Sequence, residues 1–220
     1  AKAQETGLAT QICQPPHALN GDCFMQRLIR EGYVGEVRNI VVRSMTPGLI
    51  DPDEPLHWRQ IGRLSGLNTM SVGMLVEFVH RWCGWTKSVR AQAETFVPER
   101  PLADGEGAGP VDRPDAVNIL AEMESGATAV YMFSGTAHFA PGERLEIYGT
   151  EGTLVYETAV NLDDQRILGA QAGDSELKEL EVPGSDARAW TVEEDFIEMI
   201  QTGKPAESTF YQGVKYMEFT

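Results

Sequence analysis

With 220 residues, 42% of them apolar and 23% charged, the chain is long enough to bury roughly 70% of the surface its unfolded form exposes, and it has the composition of a folded domain. Thirty-three acidic against 18 basic residues give a formal charge of -15, which makes nucleic acid and anionic membrane poor partners. No apolar stretch approaches the roughly 20 residues a bilayer span needs, and three cysteines without CxxC spacing, Cys13, Cys23 and Cys83, read as reduced, buried thiols of a cytoplasmic protein.

The chain opens AKAQETGL, without Met, as if inside a helix. Residues 9–14, ATQICQ, read as a short strand; a helix follows, with Asp22 as N-cap, Phe24, Leu28 and Ile29 at helical spacing and Gly32 as its stop. EVRNIVVRSM is apolar on both parities and reads as a central strand. The loop TPGLIDPDEPLHW cannot form a regular ladder, because Pro47, Pro52 and Pro55 lack an amide donor, and long loops of this kind often border active sites.

From Thr69 to Cys83, Met70, Leu75, Phe78, Val79 and Trp82 recur at helical intervals until Gly84 ends the run. Seven strand-like runs come next: KSVRAQAETFV, DAVNILAEME, ATAVYMFSGTA, ERLEIYG, TLVYET, QRILGA and ELKELEV. Short turn signals between them predict antiparallel pairing, and GEGAG at 105–109 reads as a flexible loop. A helix in WTVEEDFIEMIQTGK, with Thr191 and Glu194 as a capping box, precedes another that starts near Thr209 and is still running at Thr220, so both termini look like cuts within a longer chain.

The predicted fold is α+β: a large, mostly antiparallel open sheet with helices packed on one face. In the run around Val130, Tyr131, Met132 and Phe133 both parities are hydrophobic, so the other face is expected to be an oligomer interface.

The segments IREGYVGEVRNI, RWCGWTKSVRAQAETFVPERP, LEIYGTEGTLVYE and WTVEEDFIEMIQTGKPAEST together resemble the C-terminal half of the glucose-fructose oxidoreductase / inositol dehydrogenase / MocA family, in that family's order. The resemblance implies that residues 1–220 form a substrate-binding and oligomerisation domain. The Rossmann domain that precedes this region in the family is absent, and no G-x-G-x-x-G follows a strand here. NAD or NADP as cofactor, a sugar, polyol or related carbonyl compound as substrate, and a homodimer or homotetramer are implied by the resemblance alone. The alternative is a non-catalytic, dimerising ligand-binding sensor with a decayed site.

Many family members carry D-x-G-x-H-x-x-D on the corresponding helix, the histidine exchanging a proton with the substrate hydroxyl. Aligned on Gly73 and Trp82, this chain has Ser71, Leu75 and Phe78 at the three acid-base positions, and leucine transfers no proton. Glu77 and His80, three apart on one helix face, are the candidate catalytic replacements, with Asn68 and Arg81 orienting substrate; the competing reading is an ordinary Glu77–Arg81 pair worth about 0.3–0.5 kcal/mol. His17, after two prolines at a strand end, Trp58, whose indole offers a stacking face to a sugar, and Arg100, in ETFVPERP, complete the candidate substrate-binding set. Each has an ordinary alternative as a solvated or ion-paired side chain. No spaced His, Cys or Asp set suggests a metal site.

Overall fold

Period-two apolar patterning builds the centre of the molecule. In a computed structural model, which describes residues 2–13, 19–158, 164–187, 189–204 and 208–220, the elements in chain order are α1 (Lys2–Thr6), α2 (Asp22–Arg30), β1 (Val37–Met45), a 3-10 turn (Trp58–Gln60), α3 (Gly62–Ser65), α4 (Val72–Cys83), β2 (Thr86–Glu94), β3 (Glu99–Pro101), β4 (Ala108–Pro110), β5 (Ala116–Met123), β6 (Thr128–Ser134), β7 (Gly142–Gly149), β8 (Gly152–Thr158), β9 (Gln165–Gln171), β10 (Lys178–Glu179), α5 (Val192–Thr202) and α6 (Phe210–Phe219).

Eight strands form one sheet in the order β10-β9-β8-β7-β1-β6-β5-β2, and β3 and β4 form a separate hairpin. All ladders in the large sheet are antiparallel except one. β1 lies between β6 and β7, parallel to β6 and antiparallel to β7. The expectation of a mostly antiparallel α+β sheet with a central strand at 36–45 therefore holds, with one parallel pair that local turn signals could not announce.

The inner face carries Ile40 and Val42 of β1, Val117, Ile119 and Met123 of β5, Tyr131 and Phe133 of β6, Leu145 and Ile147 of β7, and Leu154 and Tyr156 of β8, all buried. Phe24, Met25 and Leu28 of α2 and Leu75, Val76, Phe78, Val79 and Trp82 of α4 belong to the same core. Each such large side chain removed from water contributes roughly 1.5–3 kcal/mol before conformational entropy is subtracted. The outer face is mixed. Val41, Val130 and Met132 are half-buried and Leu120 is exposed, beside a cross-strand row of Arg43, Arg144, Glu157 and Arg166 in which Arg144 and Arg166 both pair with Glu157.

The GTEG turn between β7 and β8 depends on a close approach: a Cβ on Gly149 would lie 2.1 Å from the Val34 carbonyl oxygen, so only glycine fits there. Several local expectations need correction. Residues 9–13 form no strand, although the Ile12 amide donates to the Ser208 carbonyl at 3.0 Å. ELKELEV contributes only Lys178–Glu179 to the sheet, and part of GEGAG pairs in the β3–β4 hairpin. Thr191 makes no side-chain cap; the capping box belongs to Thr209 and Gln212 at the start of α6. Asp22 is the first residue of α2 rather than its cap, because its carboxylate is drawn into the core by partners on α4.

Candidate functional site

The parallel pairing of β1 and β6 brings their C-terminal ends to the same edge of the sheet, where β7 begins. Ser44, Ser134 and Glu143 meet there; Ser44 is the register partner of both Phe133 and Glu143. The proline-bearing loop 46–57 crosses this edge, and Arg100 on β3 holds it down. The Arg100 side chain is buried, and its guanidinium donates to the backbone carbonyls of Leu49 at 2.6 Å, Asp51 at 2.5 Å and Glu54 at 3.4 Å. At the end of the loop His57 caps the 3-10 turn: its Nδ1 accepts the Arg59 amide at 3.2 Å, while its own amide donates to Gln60 Oε1 at 3.0 Å.

The third wall is the start of α4. Asn68 Oδ1 accepts the Gly73 amide at 3.1 Å, and Thr69 Oγ1 donates to the Pro114 carbonyl at 3.1 Å. A Cβ at Gly73 would meet Asn68 at 3.2 Å, so the glycine leaves room for this staple. Between these anchors Met70 is held at φ 46°, in the left-handed region that a bulky residue occupies only when its surroundings impose it, a strain that tends to collect at functional sites.

Loop, sheet edge and helix start enclose a cavity of about 620 Å³, with Ser44, Thr46, His57, Arg59, Ser71 and Glu143 among its lining residues. That volume is in the range of small-molecule sites. At its floor the hydroxyls of Ser44 and Ser71 are 2.7 Å apart, and Ser44 donates to Glu143 Oε1 at 3.0 Å. Burial raises the Glu143 carboxyl above the ordinary carboxylate value, and the Ser44 and Ser71 hydroxyls offset part of that rise.

The sequence-derived candidates separate. Glu77, His80 and Arg81 do come together, but in a smaller pocket of about 210 Å³ bounded by α2, α4 and α6, with Gln26, Gln212 and Tyr216. There burial pushes Glu77 up to about 8 against the pull of Arg81. Burial, reinforced by Lys215, lowers His80 to about 4, and its Nε2 lies 3.0 Å from Thr86 Oγ1. Arg81 Nη2 donates to Asp22 Oδ2 at 2.6 Å and Trp82 Nε1 to Asp22 Oδ1 at 2.9 Å, a network that ties α4 to α2.

None of Glu77, His80 and Arg81 lines the larger cavity. Of the three positions where the family places acid-base groups, Ser71 lines it, whereas Leu75 and Phe78 are core residues, 0% and 2% exposed. Arg100 lines the cavity with its guanidinium engaged by the loop carbonyls; Asn68 is the staple of α4. Trp58 is half-exposed, with the Arg59 guanidinium 4.4 Å from its ring centroid, and Arg59 reaches the cavity. His17 lies outside the described residues.

Sequence reasoning passed over Ser44 and Glu143. The available signal was parity: Glu143 alternates in phase with the inward Leu145 and Ile147, and Ser44 with Ile40 and Val42, so both are polar groups on an apolar face. Among the described residues no group of three or more His, Cys, Asp or Glu side chains is placed to hold a metal ion. Among the described residues no Gly-rich strand–turn–helix is present to cradle a dinucleotide phosphate, so these residues do not by themselves fit NAD(P). No described helix is long and apolar enough to cross a membrane, and among the described residues the cysteines form no disulfide, with Cys13 exposed and Cys23 and Cys83 half-buried rather than buried as their neighbours had suggested.

Comparison with known proteins places this arrangement. The sequence profile of the GFO/IDH/MocA C-terminal domain matches residues 24–155. Levoglucosan dehydrogenase of Pseudarthrobacter phenanthrenivorans is 27% identical over 146 residues, 60% of this chain and 37% of that protein. An uncharacterized oxidoreductase of Synechocystis sp. is 25% identical over 166 residues, 73% of this chain and 44% of its own. The chain thus spans less than half the length of these relatives. Among solved structures, an oxidoreductase domain protein from Kribbella flavida superimposes with a TM-score of 0.83 at 22% identity, covering 99% of this chain and 63% of that one. Levoglucosan dehydrogenase in complex with NADH and L-sorbose gives 0.68 at 24% identity, covering 93% and 52%. At these identities the structural likeness establishes the fold.

Proposed function

The chain belongs to the GFO/IDH/MocA family as its C-terminal domain, and from that premise we propose that it is the substrate-binding and oligomerisation domain of an NAD(P)-dependent oxidoreductase acting on a sugar, polyol or related carbonyl compound. The observation that carries the reading is the cavity of about 620 Å³ at the sheet edge. Hydroxyls from Ser44, Thr46, Ser71 and Ser134 alternate there with apolar surface from Pro47, Leu49, Met70 and Pro114. Hydroxyl groups both donate and accept, which suits a polyhydroxylated ligand, and the apolar surface suits its C–H faces. The levoglucosan dehydrogenase relative, solved with NADH and L-sorbose and with NADH and levoglucosan, supports the substrate class.

In this reading NAD(P) would be held by a part of the protein beyond these residues and would supply the hydride chemistry. The residues described here bind and orient the substrate and govern the proton on its oxygen. Oligomerisation is assigned to the outer sheet face, where Leu120, Val130 and Met132 would meet a second copy. The same reading places the protein in the cytoplasm, in keeping with cysteines that form no disulfide among the described residues.

A binding reading without turnover draws on one observation: Leu75 and Phe78 are core residues, so two of the three usual acid-base positions cannot act. One experiment separates the two readings. The intact protein is titrated with NADH and NADPH, then screened against aldoses, ketoses and polyols by nicotinamide absorbance. Turnover of at least one of these is expected. Sugar binding without turnover would transfer the assignment to a sensor, and failure of every sugar and polyol to bind would overturn the substrate class.

A further inference from the structure

We propose that Glu143 is the catalytic proton acceptor for the substrate hydroxyl, positioned by Ser44 and Ser71, and that it takes over the task the helix α4 no longer performs. The inference rests on the preceding reading, that the large cavity holds a hydroxyl-bearing substrate. Removing hydride from an alcohol carbon leaves a proton on oxygen that needs a base within hydrogen-bond reach. α4 supplies none at the family positions, since Leu75 and Phe78 are sealed in the core and Ser71 is a neutral hydroxyl.

Three carboxylates line the cavity: Asp51, Glu54 and Glu143. Asp51 and Glu54 stand exposed on the loop, whereas Glu143 is partly buried at the floor. Only Glu143 is tied to the acid-base position of α4, through the chain Ser71 Oγ, Ser44 Oγ and Glu143 Oε1, with steps of 2.7 and 3.0 Å. Ser71 is the residue before α4, yet its hydroxyl makes no cap bond to the helix and turns to Ser44 instead. Burial raises this carboxyl above the usual range, which brings its basicity nearer to that needed for work near neutral pH.

The chain of hydroxyls has a defined polarity. Each serine has one proton; when Ser44 donates to the ionised carboxylate, Ser71 must donate to Ser44. In the oxidation, the substrate O–H bond breaks and its proton passes to the Glu143 carboxylate. The electron pair of the neighbouring C–H bond would leave with its hydrogen as hydride, for which NAD(P) bound elsewhere in the protein would be the acceptor, and the C–O bond would become a carbonyl. Glu143 then releases the proton to water at the cavity mouth, and in reduction it returns one to the forming alkoxide. Protonated Glu143 can donate to Ser44, which reverses both hydroxyls and turns the Ser71 proton outward, to water or a substrate oxygen in the cavity. The titratable or charged groups that face it are Tyr156 from β8, whose phenol is raised by burial and further by this carboxylate, and Asp51, Glu54, His57, Arg59 and Arg100 around the cavity.

The test compares the intact wild-type protein with Glu143→Gln and Glu143→Asp on a sugar or polyol that the wild type oxidises. Glu143→Gln is expected to lower kcat by roughly 100-fold or more, with KM and NADH binding changed by less than about threefold. Wild-type kcat should fall as pH drops through a limb above the ordinary carboxylate range, and this limb should vanish in Glu143→Gln and return in Glu143→Asp. Independently of turnover, the infrared band of a protonated carboxyl should titrate over the same pH range and be missing from Glu143→Gln. Turnover at the wild-type rate with the limb intact, or a loss confined to KM, would overturn the role of Glu143 while leaving the cavity as the sugar site. Absence of sugar or polyol binding by the wild type would remove both inferences together.

Discussion

Asp22 and Glu77 show how differently two buried carboxylates can be treated within a few ångströms of one helix. Asp22 accepts from Arg81, Trp82 and Gln26, so its charge is fully hydrogen-bonded. Glu77 is 4% exposed and its Oε1 has no hydrogen-bond partner, and burial pushes its carboxyl up to about 8. A carboxyl raised on folding binds a proton more tightly in the native state, so its stabilising contribution is complete below about 4.5 and is lost as pH climbs through about 8. Glu77→Gln should therefore flatten the decline of stability between pH 5 and 8, gaining on the order of 2–4 kcal/mol over the wild type at the alkaline end and little at the acid end. Denaturant melts at pH 5, 6.5 and 8 check this, and parallel curves for the two proteins would refute it. At this scale the i,i+4 spacing put Glu77 and Arg81 on one helix face, and both line the same pocket. It could not reveal that Asp22, 59 residues away in sequence, is the ion-pair partner of Arg81, because that contact exists only once α2 packs on α4.

The helix α4 performs two tasks along its length. The residues leading into it, Met70 and Ser71, close the larger cavity, and its last two turns carry Glu77, His80 and Arg81 into the polar pocket beneath α6. Helical spacing made the element legible over 69–83, yet spacing alone does not say which turn opens on a cavity; the direction of Leu75 and Phe78 is decided by the sheet they pack upon. The strands were legible for the same reason in period two. What escaped was non-local: the parallel register of β1 with β6, and hence the meeting of Ser44 with Glu143. Restoring the family histidine tests this account of α4. Leu75→His would bury an imidazole in the hydrophobic core, where Leu75 is fully buried, at a cost of roughly 2–3 kcal/mol, or about 4–12 °C in Tm for a chain of this length. No gain in turnover is expected. A variant that keeps its Tm and gains activity would place residue 75 in the cavity instead.

For the molecule as a whole, the two faces of the sheet have unequal cover. The inner face has α2 and α4, while the outer face presents Leu120, Val130 and Met132 beside the charged row led by Arg43 and Arg144. Association through this face would bury the apolar part and leave the arginine–glutamate row to set the register. Met132→Glu in the intact protein should then shift light scattering from a dimer or tetramer toward monomer, and an unchanged mass would exclude this face as the interface. The sequence implied the two-sided apolar character of β6, but the interleaved arginines could be seen to form a row only after four strands were in register.

The position of β1 also bears on how the protein reaches its native state. β2, β5 and β6 follow one another closely enough to pair locally, as do β7 to β10, but in the described ladders these two groups meet only through β1. Its pairing with β6 joins residues about 90 apart, and with β7 about 100 apart, in sequence. Such distant contacts carry a large loop-closure entropy and slow the search for them. Ser44 arrives with β1, Ser134 waits on one half of the sheet and Glu143 on the other, so a partly assembled chain can hold many native ladders and still have no cavity. Competence to bind would then appear in one step, when the last strand is seated between its neighbours.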